Sequence, residues 1–163
     1  MVDAAPAIFV ALEQSGFAAA VRQSAWIYPA ANIGHILALA VFAGAVAIMD
    51  MGLMAGAITS DFAARFVRAR TFAIAAFLAL LVTGFMLFAA EASHLAINPV
   101  FQVKLLLIAA ALANAVLYEV FARRTVAKLP LGAAVPVRVK IAGVLSLSIW
   151  ICVAACGRSI AYF

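Results

Sequence analysis

Residues 23–49 read QSAWIYPAANIGHILALAVFAGAVAIM, and no Asp, Glu, Lys or Arg interrupts them. As a helix rising about 1.5 Å per residue, this run is long enough to cross a hydrocarbon core of roughly 30 Å. One residue is out of keeping with the rest. His35 carries two polar ring nitrogens to a depth where water is scarce, and burying a polar group without a partner costs a few kcal/mol. Ionisable side chains inside membrane segments mark functional sites, so His35 is the first candidate of this chain.

The flanking sequence has the same character. Of 163 residues, 69% are hydrophobic and 10% charged, outside the usual balance of soluble domains. Thr71–Ala90 and Ile141–Gly157 are further charge-poor runs, and Leu105–Tyr118 becomes a full span if it starts near Pro99 and ends near Arg123. The expected fold is all-α, an integral membrane four-helix bundle in one transmembrane domain, residues 1–163. Its spans are placed at about 25–57, 66–91, 99–124 and 137–160. The apolar runs lack the period of two that a membrane β-barrel requires. Asn98-Pro99 is a natural helix start, an asparagine cap followed by proline in the first turn. Pro130 and Pro136 bracket the link before the last span.

At the amino end, Asp3 precedes any basic residue, and Glu13, Gln14 and Arg22 mix with Ile8, Phe9 and Leu12. That composition argues against a secretory signal. Residues 5–22 are expected to form a short interfacial helix, the alternative being a frayed polar tail. Basic residues collect in two links: Arg65, Arg68 and Arg70 in the first, and Arg123, Arg124, Lys128, Arg138 and Lys140 in the third. The positive-inside rule makes these links cytoplasmic and puts both termini outside, in the periplasm for a bacterial inner-membrane protein. The net charge of +5 is then a topology signal in the lipid bilayer, and a nucleic-acid partner is not expected. Trp26 and Tyr28 at the start of span one, with Tyr162 and Phe163 after span four, fit an outer aromatic belt.

Polar residues recur in the outer half of every span. His35 lies roughly 13 Å below the outer interface and Lys104 about 8 Å deep on span three. Arg158 stands near the outer end of span four and Glu91 near that of span two. Lys104 and Arg158 have flexible stems that reach headgroups, Glu91 and Lys104 can form a structural ion pair, and His35 can donate to a neighbouring carbonyl. Toward the cytoplasm, Asp50 is expected to link to Asn114, Arg65 or Arg70. A proton path from Asp50 to His35 would span about 22 Å. Tyr118 and Glu119 accompany Asn114 on span three. Cys152 and Cys156, four residues apart on one helix face, suit either core packing or a soft metal. His94 is read as a solvated residue of the outer link. No phosphate loop, activated nucleophile or second histidine at metal-ligand spacing is present.

The segments GHILALAVFAG (34–44), TGFMLFAAEA (83–92), NPVFQVKLLLI (98–108) and GRSIAYF (157–163) resemble an uncharacterised family of short bacterial four-span membrane proteins, over nearly the whole chain. More distantly, a span-one histidine with TG and NP-F-KLLL elements in spans two and three resembles the copper-resistance D domain. It also resembles the four-helix haem-containing protoporphyrinogen oxidases, which pair a span-one histidine with a span-three lysine. The matching positions are His35 and Lys104. The chain departs from the oxidases at Val100-Phe101-Gln102-Val103, where they have a Trp-Leu-His-type approach to the lysine, and it lacks the extra spans and ligands of the copper proteins. The resemblance implies a b-type haem held in the outer half. His35 would be its metal ligand, neutral imidazole being a common haem-iron ligand. Lys104 and Arg158 would meet the propionates, with Glu91 beside them and Thr83 and Gly84 leaving room. The expected function is electron transfer or a redox step with a quinone or a redox protein as partner. The alternatives are copper handling through His35, methionines, Cys152 and Cys156, and a non-catalytic membrane subunit or assembly factor.

Overall fold

The computed structural model describes residues 5–162; Asp3 and Phe163, used above for the amino end and the aromatic belt, lie outside them. The chain opens with two short helices, α1 (Ala7–Glu13) and α2 (Gly16–Gln23). One interfacial helix over 5–22 was expected. The break falls at Ser15, whose extended backbone lets its hydroxyl accept from the Ala18 N–H at 3.2 Å and cap the second helix. Ser24 accepts from the N–H groups of Trp26 and Ile27, turning the chain into α3 (Ile27–Met54).

The other long helices follow. α4 is Phe62–Ala90, and α5 (Ala92–Ile97) is a single short helix in the link expected to be a loop. α6 (Pro99–Leu117) passes through a π-helical turn (Tyr118–Ala122) into α7 (Arg123–Ala127). α8 (Val137–Ser159) ends in a 3₁₀ turn (Ile160–Tyr162). Asn98 caps α6 as its sequence implies, its Oδ1 accepting from Val100 N at 2.9 Å and Phe101 N at 3.1 Å. α4 begins earlier than the expected 66, so that Arg65 joins Arg68 and Arg70 on the exposed or half-exposed first turns of the helix. Four helices, Ile27–Met54, Phe62–Ala90, Pro99–Ala127 and Val137–Tyr162, have the length and the mean hydropathy (2.2, 2.5, 2.1 and 2.1) to cross a membrane. The protein is an all-α multi-pass membrane bundle. Among the described residues the only extended pairing is one bridge between Ala57 and Ala134. Gly132, at φ +79°, makes the adjoining turn from Pro130 to Ala133, a backbone conformation that glycine adopts without steric penalty.

α3 is the central element. It packs along α4 and, less extensively, against α8, and α6 packs along α8. Alanines make these approaches close: Ala38 and Ala45 on α3 and Ala73 and Ala76 on α4 are all buried, and small residues let membrane helices draw together. Phe42 and Ala45 of α3, with Ala73 and Ala76 of α4, form one cluster closed by Phe77 and Trp150, the Phe42 and Trp150 rings meeting edge-on at 4.5 Å. Leu53, Ile58, Val126, Val135 and Val139 form a second at the arginine-rich end. α4 and α6 are bridged by long side chains at their two ends. Phe88 stacks on Phe101 at 5.3 Å near α5, and Phe66 meets Tyr118 and Arg70 meets Glu119 at the other end. Ile36, Leu37, Phe72, Leu106 and Phe121 stay exposed, as residues facing lipid do.

Candidate functional site

Two turns into α3, His35 is half-buried against α4. Its Nδ1 lies 2.8 Å from Thr83 Oγ1, and that hydroxyl lies 2.7 Å from the Ala79 carbonyl one turn back. Thr83 has one proton to give. Donated to Ala79, it leaves the oxygen free to accept from Nδ1–H, and the imidazole is then the neutral tautomer with a lone pair on Nε2. Nε2 has no hydrogen-bond partner among the described residues. The ring rests on Gly84, where a Cβ would stand 3.2 Å from Cε1, and a Cβ on Gly34 would stand 3.5 Å from the Thr83 methyl. Glycine on each helix lets the histidine and threonine interlock.

Lys104 comes from α6. Its Nζ reaches over Gly157 of α8, 3.4 Å from where a Cβ would be, and no carboxylate among the described residues pairs with it. Beside it, Pro99, Val100, Val103, Ala155, Cys156 and Ser159 line a shallow groove between α6 and α8 of about 370 Å³. Asn98 is buried, and its Nδ2 has no partner once Oδ1 has capped α6. Nothing in the sequence distinguished that amide nitrogen from an ordinary cap. Thr83 was noted there only as leaving room; its bond to His35 depends on the rotation of α3 against α4.

The remaining candidates do not join this group. Arg158 is exposed and turns along its own helix, donating to the Tyr162 hydroxyl at 2.5 Å with its guanidinium 4.8 Å above that ring. Glu91 is exposed at the corner between α4 and α5 and forms no ion pair among the described residues, so the Glu91–Lys104 pair that the sequence allows is not formed. His94 is exposed on α5, in keeping with its reading as a solvated residue. Cys152 is exposed and Cys156 half-buried, and no three His, Cys, Asp or Glu side chains converge to hold a metal among the described residues.

At the same end, α1 and α2 fold over the α4–α5 corner. Phe9 meets Phe88 and Phe17 stacks on Phe85, both at 5.8 Å. The Glu13 carboxylate accepts from the Ser93 hydroxyl and, at 2.7 Å, from the Ser93 backbone N–H. Arg22 donates to the Ala90 carbonyl at 2.9 Å. The Ser93 hydroxyl, then its N–H, hold the Glu13 carboxyl below its ordinary value against a small opposing effect of burial, with Arg22 and His94 adding positive potential.

Toward the arginine-rich end, the expected links of Asp50 are not made. Asn114 donates to the Ala142 carbonyl at 3.0 Å, Arg65 to Thr59 at 3.1 Å, and Arg70 pairs with Glu119 at 3.3 Å. α3 faces α8 here, so Asp50 looks toward Ser146 and away from the arginines.

A family model described as "Family of unknown function (DUF6644)" matches residues 13–163. No curated protein and no solved structure matches the chain, so the likeness to copper-resistance D domains and protoporphyrinogen oxidases gains no support.

Proposed function

Since the chain belongs to this family of unknown function, its activity has to be read from the site, and we propose that it is a b-type haem protein transferring single electrons in a bacterial inner membrane. The observation that carries the reading is the hydrogen bond that His35 Nδ1–H donates to the Thr83 hydroxyl oxygen. It leaves Nε2 as a lone-pair donor on a ring held in place, the arrangement in which a second hydrogen bond orients a metal-ligating histidine. Bound there, the haem would supply a one-electron couple. His35 would be a ligand of its iron, and Lys104, an ammonium without a carboxylate partner among the described residues, would meet a propionate. The Asn98 amide is a further free donor at that end. Gly34 and Gly84 let His35 and Thr83 interlock, and Gly157 makes room for the Lys104 ammonium. Arg158 and Glu91 are left out of this set, because the first is engaged with Tyr162 and the second is exposed at a corner.

In this reading the α5 end faces the periplasm, and a quinone or a redox protein exchanges electrons there. Copper handling has less behind it, since a soft-metal site would need more ligands than His35 and the separated cysteines bring together. The test is a reduced-minus-oxidised visible spectrum of the purified protein. A haem band that is lost in His35→Ala and kept in His94→Ala is the expected result. A protein without visible absorbance, in which His35→Ala costs only stability, would make the His35–Thr83 bond a structural tie between α3 and α4 and end the haem reading.

A further inference from the structure

Asp50 is the only charged side chain buried among the described residues, 5% exposed, and its Oδ2 has no hydrogen-bond partner there. It sits on α3 between the two apolar clusters, with Ala45 and Val46 on one side and Leu53 on the other. α8 closes the seam. A Cβ on Gly143 would stand 3.1 Å from the Asp50 carbonyl oxygen and 3.3 Å from Leu53 Cβ, and the Ser146 hydroxyl faces the carboxyl.

Among the described residues no neighbour supplies a counter-charge. On α4, Arg65 donates to Thr59, Arg68 to the Ala64 carbonyl, and Arg70 is paired with Glu119. Beyond α6, Glu119 is held by Arg70 and Arg123, and Tyr118 packs on the second cluster. Lys140 and Arg138 of α8 form no ion pair with it. An ionised carboxylate in this seam would be an uncompensated charge in an apolar setting, which costs far more than a neutral carboxyl with one unsatisfied O–H. One carboxyl and one hydroxyl are too few oxygens for a hard metal cation such as calcium, which takes six or more. A proton needs one.

We propose that Asp50 is a proton-binding site, loaded at neutral pH, whose proton keeps α3 seated against α8. Losing it would place a bare charge in the seam and admit water between the helices. This inference does not depend on haem.

The experiment is an infrared difference titration of the whole protein in lipid, from acid to alkaline pH, with backbone hydrogen exchange followed in parallel. At neutral pH the unsubstituted protein shows the carbonyl band of a protonated carboxyl, and Asp50→Asn lacks it. On alkaline titration the band fades and amide protection, taken relative to the intrinsic exchange rate at each pH, falls at residues 50–54 and 141–146, whereas Asp50→Asn keeps its protection throughout. Should that variant not fold, isotope-labelled aspartate in the unsubstituted protein assigns the band, since the other aspartates are Asp3 at the amino end and the exposed Asp61. No protonated-carboxyl band at neutral pH overturns the proposal, and so does loss of the band with no change in protection across the seam.

Discussion

Thr83 has a single hydroxyl proton, and where it goes decides which nitrogen of His35 keeps a lone pair. Thr83→Val removes both the acceptor for Nδ1–H and the bond to Ala79 while keeping the volume. A group that hydrogen-bonds to a metal-ligating side chain is worth roughly 10–100-fold in metal affinity. We therefore expect Thr83→Val to lower haem affinity by about that factor, measured by titrating haem into apoprotein, with the helical content unchanged. The glycines give a sharper contrast. Gly143→Ala pushes a methyl to 3.1 Å from the backbone oxygen of Asp50, which cannot move alone, whereas Gly157→Ala meets only the flexible end of Lys104 at 3.4 Å. Overpacking a tight contact costs about 1–3 kcal/mol. Thermal unfolding in detergent should show Gly143→Ala destabilised by that order and Gly157→Ala close to the unsubstituted protein. Equal losses would mean that the α3–α8 seam is looser than its geometry indicates.

At the scale of elements, α1 and α2 are held to the α4–α5 corner by two phenylalanine contacts and by the Glu13–Ser93 and Arg22–Ala90 hydrogen bonds. Glu13 makes that attachment depend on pH. Its carboxyl titrates below the ordinary value of 4.5 in the folded state, chiefly through the Ser93 hydroxyl. A group with a lowered folded value adds stability above its unfolded value and loses it as the pH falls through the folded one. Amide protection in residues 7–23, taken relative to the intrinsic exchange rate at each pH, should thus be high at neutral pH and fall below pH 4.5, while Glu13→Gln is less protected than the unsubstituted protein at neutral pH and shows little further acid response. Identical protection in the two proteins at neutral pH would leave the phenylalanines and the Arg22–Ala90 bond as the attachment. The α4–α6 pair shows how one element can serve two ends differently. Stacked aromatics join it near α5, and Glu119, set on a π-helical turn, joins it to Arg70 at the other.

For the whole molecule, four crossings put α1, α5 and the end of α8 on one side and the arginines of the first and third links on the other. In the orientation proposed above, which follows the positive-inside rule, the arginine-rich side would be cytoplasmic. A reporter fused after Tyr162 should be active only as a periplasmic fusion, and one placed at Gly132 only as a cytoplasmic one. The reverse pattern would invert the bundle and move the proposed haem site to the cytoplasmic half, leaving its ligand chemistry unchanged.

The all-α class, the four crossings and the Asn98 cap were legible from residue order because each depends on local quantities: apolar length, charge spacing and the conformational bias of an Asn-Pro pair. His35 stood out for the same reason, as one polar ring in an uncharged run. What the ring does was not legible. Thr83 is 48 residues away, and only the rotation of α3 against α4 brings its hydroxyl to Nδ1. Arg158 and Glu91 shared the outer half of the bundle with His35 and Lys104 in sequence, but depth is one coordinate, and the facing of each side chain sent the first to Tyr162 and the second to an exposed corner. Asp50 is the clearest case. Its distance along α3 from His35 follows from helical rise, yet whether it met an arginine or a dry seam was decided by which neighbour packed on that face, and the close crossing at Gly143 chose α8.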